Sequence, residues 1–294
     1  MNNDMRKKII NLFNSEKLFY LVLYLIGTFL PLFLIFTILT RNGFKYSDTV
    51  FSILVFGVLF FWIYRTLKKE KISINEFIGD VENINWGKIF YLNFILLFFS
   101  LFASSVYQYF LAHFLPSVLE KQLQPYQIFY ESGGFVEIIF NLILIFSIVF
   151  LAPVVEELFF RGYLLYKLRL KINLKFAIVV SSIFFAILHQ NILGTFVFAV
   201  VMAFIYIKSN SLLIPMIVHS INNALAIFLS ILLRNVPTEP KEAEVIIEEI
   251  KNTGGTSLVF FAIFLFLIIR FLKENPLRQS DDLPLLKEKF EDKN

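Results

Sequence analysis

The chain has 294 residues, of which 57% are hydrophobic and 38 are phenylalanine, and its mean hydropathy is +0.72. These values exclude a soluble globular protein and indicate an integral membrane protein. The formal net charge of +4 comes from polar flanks of apolar segments and does not indicate a nucleic-acid partner, and the absence of cysteine excludes disulfides and thiolate chemistry.

Apolar runs long enough to cross about 30 Å of hydrocarbon, at about 1.5 Å of helix per residue, occur along the whole chain. They cover 18–40, 49–64, 89–112, 135–158, 174–190, 192–207, 212–233 and 257–272. The sequence contains no internal repeat and no polar stretch long enough for a separate soluble core. It therefore predicts an all-α fold, a single integral membrane domain over residues 1–294 that is a polytopic bundle of about eight transmembrane helices.

Lysine and arginine residues between these segments predict the orientation of the bundle. Most of the 27 lie in gaps on one side, together with both ends of the chain. The exceptions on the other side are Arg41, Lys45, Lys121, Arg234, Lys241 and Lys251. Because basic residues concentrate in cytoplasmic loops, both termini of this multi-pass cell-membrane protein are predicted to be cytoplasmic. The enrichment in Phe, Ile, Lys and Asn suggests a bacterial source.

Two of the polar gaps carry enough apolar residues to form helices of their own. The segment "ISINEFIGDVENINW", residues 72–86, predicts a short helix on the cytoplasmic interface. The gap 234–256 has an apolar stripe near residues 245–250 and ends with Gly254 and Gly255. It predicts an amphipathic cap on the outer side that stops at the two glycines.

Ionisable residues inside apolar segments are costly to insert and are functional candidates for that reason. The stretch "APVVEELFFRG", residues 152–162, contains Glu156, Glu157 and Arg161. Glu157 and Arg161 are spaced i and i+4, so they share a helix face and are expected to pair near the cytoplasmic edge. Glu156 points about 100° away from Glu157 and is free to act as a general base.

Two further polar clusters lie later in the chain. His189 ends the stretch "FFAILHQN", and "PMIVHSINNA" places His219 and Asn223 at i and i+4 on one helix face, where they could donate hydrogen bonds to an oxyanion. If the chain turns back at residues 171–173 after the helix that carries Glu156, Glu156 and His189 each lie about 25 Å from this turn along their helices. Both side chains are then predicted to lie at the same depth in the membrane. The predicted depth of His219 agrees less well with that of Glu156 and His189, since His219 lies only about 12 Å from a predicted turn at 209–211.

These residues resemble the three signature motifs of the CPBP family of intramembrane proteases, also called the Abi or type II CAAX prenyl endopeptidase family. The stretch "EELFFR" at 156–161 fits EExxxR, "FAILH" at 185–189 fits FxxxH, and "HSINN" at 219–223 fits HxxxN, in the family's order. The motifs fall in a predicted catalytic core at about 135–233. Patterns of other membrane proteases, such as HExxH and GxGD, are missing from the sequence.

The resemblance implies an intramembrane endopeptidase whose active site faces the cytoplasm and acts on a membrane-associated peptide or protein. By this analogy Glu156 activates water, His189 positions it, His219 and Asn223 form the oxyanion site, and Glu157 and Arg161 support them. Bacterial relatives are linked with bacteriocin immunity and peptide maturation, which suggests a small peptide as substrate. Membrane lipids are the other expected partners.

Cofactor use stays open at the level of sequence. Glu156, His189 and His219 offer enough nitrogen and oxygen ligands for zinc with an open position for water. Asn223, on the same face as His219, suits hydrogen bonding better than zinc ligation and so favours a metal-free mechanism.

Two other functions remain open from the residues alone. A non-catalytic membrane immunity or scaffold protein could keep the polar cluster for helix packing. A transporter would also explain intramembrane charges, but the chain lacks the repeat symmetry of many transporter folds.

Overall fold

The computed structural model describes residues 18–79, 81, 85–123, 129–130, 134–234, 243–277 and 283–284. All regular secondary structure within these residues is helical. The helices are α1 (Leu18–Arg41), α2 (Ser47–Lys69), α3 (Ile74–Ile78), α4 (Trp86–Phe114), α5 (Pro116–Gln122), α6 (Phe135–Arg169), α7 (Leu174–Ala186), α8 (Ile192–Ser209), α9 (Leu213–Arg234) and α10 (Ala243–Glu274).

The predicted all-α polytopic bundle is confirmed. In the described part of the chain six helices, α2, α4, α6, α8, α9 and α10, are long and apolar enough to cross a membrane. Two apolar stretches are shorter, Ile26–Arg41 within α1 and the whole of α7. The core lies between α2, α4, α6, α7, α8 and α9, where Phe99, Tyr166 and Tyr206 are almost completely buried.

The prediction of a membrane-spanning helix at 174–190 is wrong at its end. Helix α7 stops at Ala186 after 13 residues, a length of about 20 Å that is too short for about 30 Å of hydrocarbon. The chain turns at 187–190 because Asn191 caps the next helix: its side-chain oxygen accepts a hydrogen bond from the Gly194 N–H at 3.0 Å. Helices α7 and α8 therefore form a hairpin, and His189 lies in its turn.

The predicted stop at Gly254 and Gly255 is also wrong, because α10 runs through both glycines for 32 residues. The predicted outer cap is thus in part the first half of a long helix, while residues 235–242 lie outside the described residues. Gly254 is buried against α4, where an added Cβ would come within 2.9 Å of the Tyr109 Cβ. The missing side chain allows this close approach of α10 to α4, and tertiary packing outweighs the low helix propensity of glycine.

The adjacent glycines make a matched pair for testing this contact. Gly254→Ala is expected to destabilise the protein by about 1–3 kcal/mol, since the Tyr109 side chain and the α4 backbone must move to admit a methyl group. Gly255→Ala meets nothing within 4 Å and should be neutral or stabilising by up to about 1 kcal/mol. Thermal unfolding of the purified variants measures both changes, and equal effects would contradict the packing seen at Gly254.

A five-residue helix, α3, occupies the segment predicted to form a short interfacial helix. Ser73 and Glu76 form a capping box at its start, which satisfies free backbone N–H groups of the first turn. Phe77 is only 3% exposed and lies against Gly162 of α6, where an added Cβ would be 2.6 Å from the Phe77 ring. The Ile78 carbonyl accepts a hydrogen bond from the Leu212 N–H at 2.8 Å. Helix α3 thus fixes the turn between α8 and α9 beside the middle of α6.

Candidate active site

The two adjacent glutamates lie in a distorted part of α6. Residues Ala152–Glu157 form a short α-helical segment between two π-helical segments, Ser147–Leu151 and Leu158–Leu164. A π-helical turn adds a residue to the turn and is frequent at functional sites. In the first segment the Ala152 N–H donates to the Ser147 carbonyl, five residues back. The next donor in this register would be residue 153, which is proline and has no N–H.

The Ile148 carbonyl therefore lacks the backbone donor that this register would supply. The side chain of Asn223 provides a donor instead. The Asn223 Nδ2 group donates a hydrogen bond to the Ile148 carbonyl at 2.9 Å. This bond ties α9 to the π-helical turn just before the glutamates. It uses one of the two amide hydrogens of Asn223 and leaves the second for another acceptor.

Glu157 is at the centre of a buried polar network. The Arg161 Nη1 donates to the Glu157 Oε1 at 2.9 Å, so the predicted i and i+4 pair is confirmed. The guanidinium also donates from Nη2 to the Ala199 carbonyl at 3.2 Å and lies over the Phe185 ring at 4.6 Å. Glu157 and Arg161 are 0% and 3% exposed, so this ion pair is inside the bundle.

The same carboxylate oxygen has a second partner, on α9. The His219 Nδ1 lies 3.0 Å from the Glu157 Oε1, and because a carboxylate oxygen only accepts, Nδ1 carries the hydrogen when Glu157 is ionised. This contact fixes the orientation of the imidazole and turns its other nitrogen, Nε2, toward Glu156. The sequence spacing did not predict that His219 would contact both glutamates.

Glu156 lies on the open side of this network. Its Oε2 is 3.8 Å from the His219 Nε2, too long for a hydrogen bond but close enough for one water molecule to contact both atoms. The side chain is 15% exposed, and Oε2 is buried with no hydrogen-bond partner among the described residues. A buried carboxylate oxygen without a partner is costly, so this atom is a place where a water or substrate group would bind.

The ring of Phe185 joins His189 to the same site. His189 stacks on this ring with a centroid separation of 4.6 Å, and His219 contacts its edge at 6.0 Å. The His189 Nδ1 lies 2.8 Å from the Phe185 carbonyl, so it donates to that oxygen and leaves Nε2 as an acceptor in the neutral ring. Phe185 therefore contacts both imidazoles.

The structure explains why His219 fitted the predicted depth poorly. The turn at 210–212 does not lie level with the end of α6. Leu212 lies beside Gly162 in the middle of α6, where a Cβ atom built on the glycine would be 3.1 Å from the Leu212 side chain. Gly162 is six residues after Glu156 and His219 is seven residues after Leu212. These separations correspond to about 9 and about 10 Å along the two helices, so the side chains of Glu156 and His219 lie at the same depth.

Sequence reasoning missed the residues that hold the turn carrying His189. Besides capping α8, Asn191 donates from Nδ2 to the Ser100 carbonyl on α4 at 3.0 Å. An asparagine before an apolar helix is a general signal for a helix start, but the bond to Ser100 joins residues 91 positions apart and has no sequence signal. In contrast, His113 is exposed and contacts the carbonyl and the ring of Tyr109 on its own helix.

Glu156, His189 and His219 are the side chains that could bind zinc according to the sequence. Among the described residues, no three His, Cys, Asp or Glu side chains are grouped as ligands for a metal ion. Glu156, His189 and His219 thus do not form a preassembled ligand set. The arrangement offers instead a carboxylate base, two oriented imidazoles and an amide donor, which are the groups used in hydrolysis by general acid–base chemistry.

Comparison with known protein families adds independent support for the motifs. Residues 138–225 match the family described as Type II CAAX prenyl endopeptidase Rce1-like. This range includes all three motifs, and the match is consistent with a CPBP family protease, so the predicted resemblance is confirmed. No curated protein and no solved structure matches the chain. The match and the apolar helices together indicate a multi-pass membrane protein that contains a region similar to type II CAAX endopeptidases.

Proposed function

Because residues 138–225 match an Rce1-like type II CAAX endopeptidase, we propose that this chain is an intramembrane endopeptidase with Glu156 as its general base. The observation that carries the proposal is the Glu156 Oε2, buried without a partner and 3.8 Å from the His219 Nε2. A general base needs a lone pair that reaches a water molecule. Glu157 also has one buried oxygen without a partner among the described residues, but its side chain is 0% exposed and its other oxygen binds Arg161 and His219, whereas the Glu156 side chain is 15% exposed.

The charges of the buried cluster support an electrophilic role for His219. Glu157 accepts from Arg161 and from the His219 Nδ1 through the same oxygen. With Glu156 and Glu157 ionised and His219 doubly protonated, the four groups carry no net charge, which lowers the cost of burying them. The Nε2–H of His219 then faces the space beside Glu156 and can donate to the oxygen of a substrate carbonyl.

The proposed reaction follows from these positions. A water held by Glu156 and the His189 Nε2 gives its proton to Glu156 and attacks the peptide carbonyl carbon. The developing oxyanion accepts hydrogen bonds from the His219 Nε2–H and from the second amide hydrogen of Asn223. When the tetrahedral intermediate collapses, Glu156 returns the proton to the leaving amine, and the products are a carboxylate and an amine. This chemistry uses only side chains of the chain itself.

The substrate class and orientation are part of the proposal. The surplus of Lys and Arg on one side supports a cytoplasmic position for both termini and an active site that faces the cytoplasm. A site inside a bundle with lipid-facing apolar helices suits a peptide bond held near the membrane surface by an anchored or hydrophobic segment. We therefore propose a membrane-associated peptide or protein as substrate, and bacteriocin-type peptides are candidates among these.

Purified full-length protein in lipid vesicles provides the test. It should cleave a fluorescent peptide that carries a C-terminal CAAX-type sequence and a lipid anchor, or an unmodified hydrophobic peptide of the same length, and mass spectrometry of the products locates the cut. Cleavage of either peptide supports the endopeptidase, and the comparison shows whether a lipid anchor is needed. Failure to cleave these two peptides or any member of a hydrophobic peptide library would favour the non-catalytic immunity or scaffold protein.

A further inference from the structure

The C-terminal end of α2 has a lysine where the backbone favours glycine. The Ile72 N–H donates to the Leu67 carbonyl and the Lys71 N–H to the Lys68 carbonyl, which is the Schellman pattern of helix termination. Lys71, the residue after the cap, has a φ of 56°, a left-handed conformation that glycine adopts easily and lysine does not. Leu67 and Ile72 make the buried apolar pair that accompanies this motif. Local backbone preference therefore does not explain the lysine side chain.

A cavity of about 650 Å³ lies at this helix end, and Lys71 is one of the residues that line it. Lys68 and Lys71 line it together with apolar atoms of Tyr64, Leu67 and Ile72 and the start of α3, and none of its described lining residues is acidic. The Lys68 Nζ lies 5.9 Å from the centre of the Tyr64 ring. The cavity thus combines two ammonium groups with an apolar wall, a surface suited to an anion attached to an apolar body.

The position of the cavity along the membrane normal narrows the choice of ligand. Helix α2 has 23 residues, about 34 Å, so its last turn lies at the edge of a hydrocarbon layer of about 30 Å. Lipid phosphate groups lie just outside this edge, and basic pockets beside transmembrane helices bind anionic headgroups. We propose that this cavity binds the headgroup of an anionic phospholipid, with its phosphate between Lys68 and Lys71 and its glycerol and acyl chains along Tyr64 and Leu67.

A bound headgroup would act on the segment that supports the candidate site. Ser73 and Ile74 line the cavity, while Phe77 and Ile78 of the same short segment contact Gly162 and Leu212. Lipid binding would therefore stabilise α3 against α6 and against the turn before α9. Because a ligand that binds only the folded state raises its stability, the melting temperature should rise with anionic lipid.

Lipid binding is measured on the purified full-length protein without any assay of hydrolysis. The protein is reconstituted in phosphatidylcholine vesicles that contain a minor fraction of phosphatidylglycerol, extracted gently, and examined by native mass spectrometry for retained lipid. The wild-type protein should retain phosphatidylglycerol in preference to phosphatidylcholine. The double variant Lys68→Gln/Lys71→Gln should lose about 30-fold in phosphatidylglycerol affinity, since we expect about 5-fold for each lysine that contacts the headgroup.

Lys69→Gln is the matched control, because it removes the same charge from the same helix end at a residue that does not line the cavity. It should retain phosphatidylglycerol as the wild-type protein does, and unfolding curves in phosphatidylcholine should be the same for all variants. Competition by glycerol phosphate would support the site and show that the phosphate carries recognition, and its failure would support a site that also needs the acyl chains. Equal retention by the double variant and the wild-type protein, or equal loss in Lys69→Gln, would overturn the proposal.

Discussion

Replacing Glu156 by glutamine is expected to lower peptide hydrolysis by about 10²–10⁴-fold while the protein stays folded. Glutamine has nearly the same shape but cannot take a proton from water, so the loss reports general-base chemistry. Among the described residues Glu156 accepts no hydrogen bond at Oε2, and this oxygen lies 3.8 Å from His219, so the substitution breaks no strong bond within that part of the structure. We expect the thermal unfolding midpoint to change by only a few degrees.

Initial cleavage rates of the wild-type protein, Glu156→Gln and Glu137→Gln give the comparison. Glu137 lies on the same helix as Glu156, and its partners are Lys45 and Tyr46 at the far end from the buried cluster. Glu137→Gln makes the same chemical change and should keep nearly full activity. If Glu156→Gln hydrolyses the substrate as fast as Glu137→Gln, Glu156 is not the base.

Replacing Arg161 by methionine is expected to destabilise the protein by about 3–5 kcal/mol, the largest effect on stability that we predict. The substitution removes the hydrogen bonds to Glu157 and to the Ala199 carbonyl and leaves a fully buried carboxylate with His219 as its remaining partner. An unpaired charge in a buried site costs far more than the pair contributes. Thermal or denaturant unfolding in detergent measures the change.

A second arginine–glutamate pair supplies the control. Arg270 donates to Glu274 at 2.7 Å with the same sequence separation of four, but their side chains are 63% and 57% exposed. Arg270→Met should therefore cost no more than about 1 kcal/mol. The double variant Glu157→Gln/Arg161→Met should be more stable than Arg161→Met alone, because it removes the unpaired charge. Similar costs for Arg161→Met and Arg270→Met would show that burial of the cluster is not as described.

The parts of the site that follow from helix periodicity could be predicted from the sequence. The pairing of Glu157 with Arg161 depends only on a spacing of four residues, and it is present at 2.9 Å. The all-α membrane bundle likewise follows from the length of the apolar runs, which six helices of the described chain confirm. These features are local, so a single sequence contains the information they need.

The features that sequence reasoning missed depend on contacts between distant segments. The contact of His219 with both glutamates requires the turn at 210–212 to lie beside Gly162, and that depends on Phe77 and α3. The end of α7 at Ala186 and the passage of α10 through Gly254 were misjudged for the same reason. In each case a tertiary contact decides where the helix begins or ends. The bond from Asn223 to Ile148 also depends on π-helical register, which a regular 3.6-residue repeat does not describe.

The attack of water under the control of Glu156 is tested most directly by single-turnover cleavage in water enriched in ¹⁸O. With the wild-type protein, the new C-terminal carboxylate of the product should carry one ¹⁸O atom from solvent, and Glu156→Gln should release labelled product about 10²–10⁴-fold more slowly. A product without solvent oxygen would mean that a carboxylate side chain attacks the carbonyl and transfers its own oxygen to the product. Labelled product formed equally by Glu156→Gln would mean that another group activates the water, and either result would contradict the proposed mechanism.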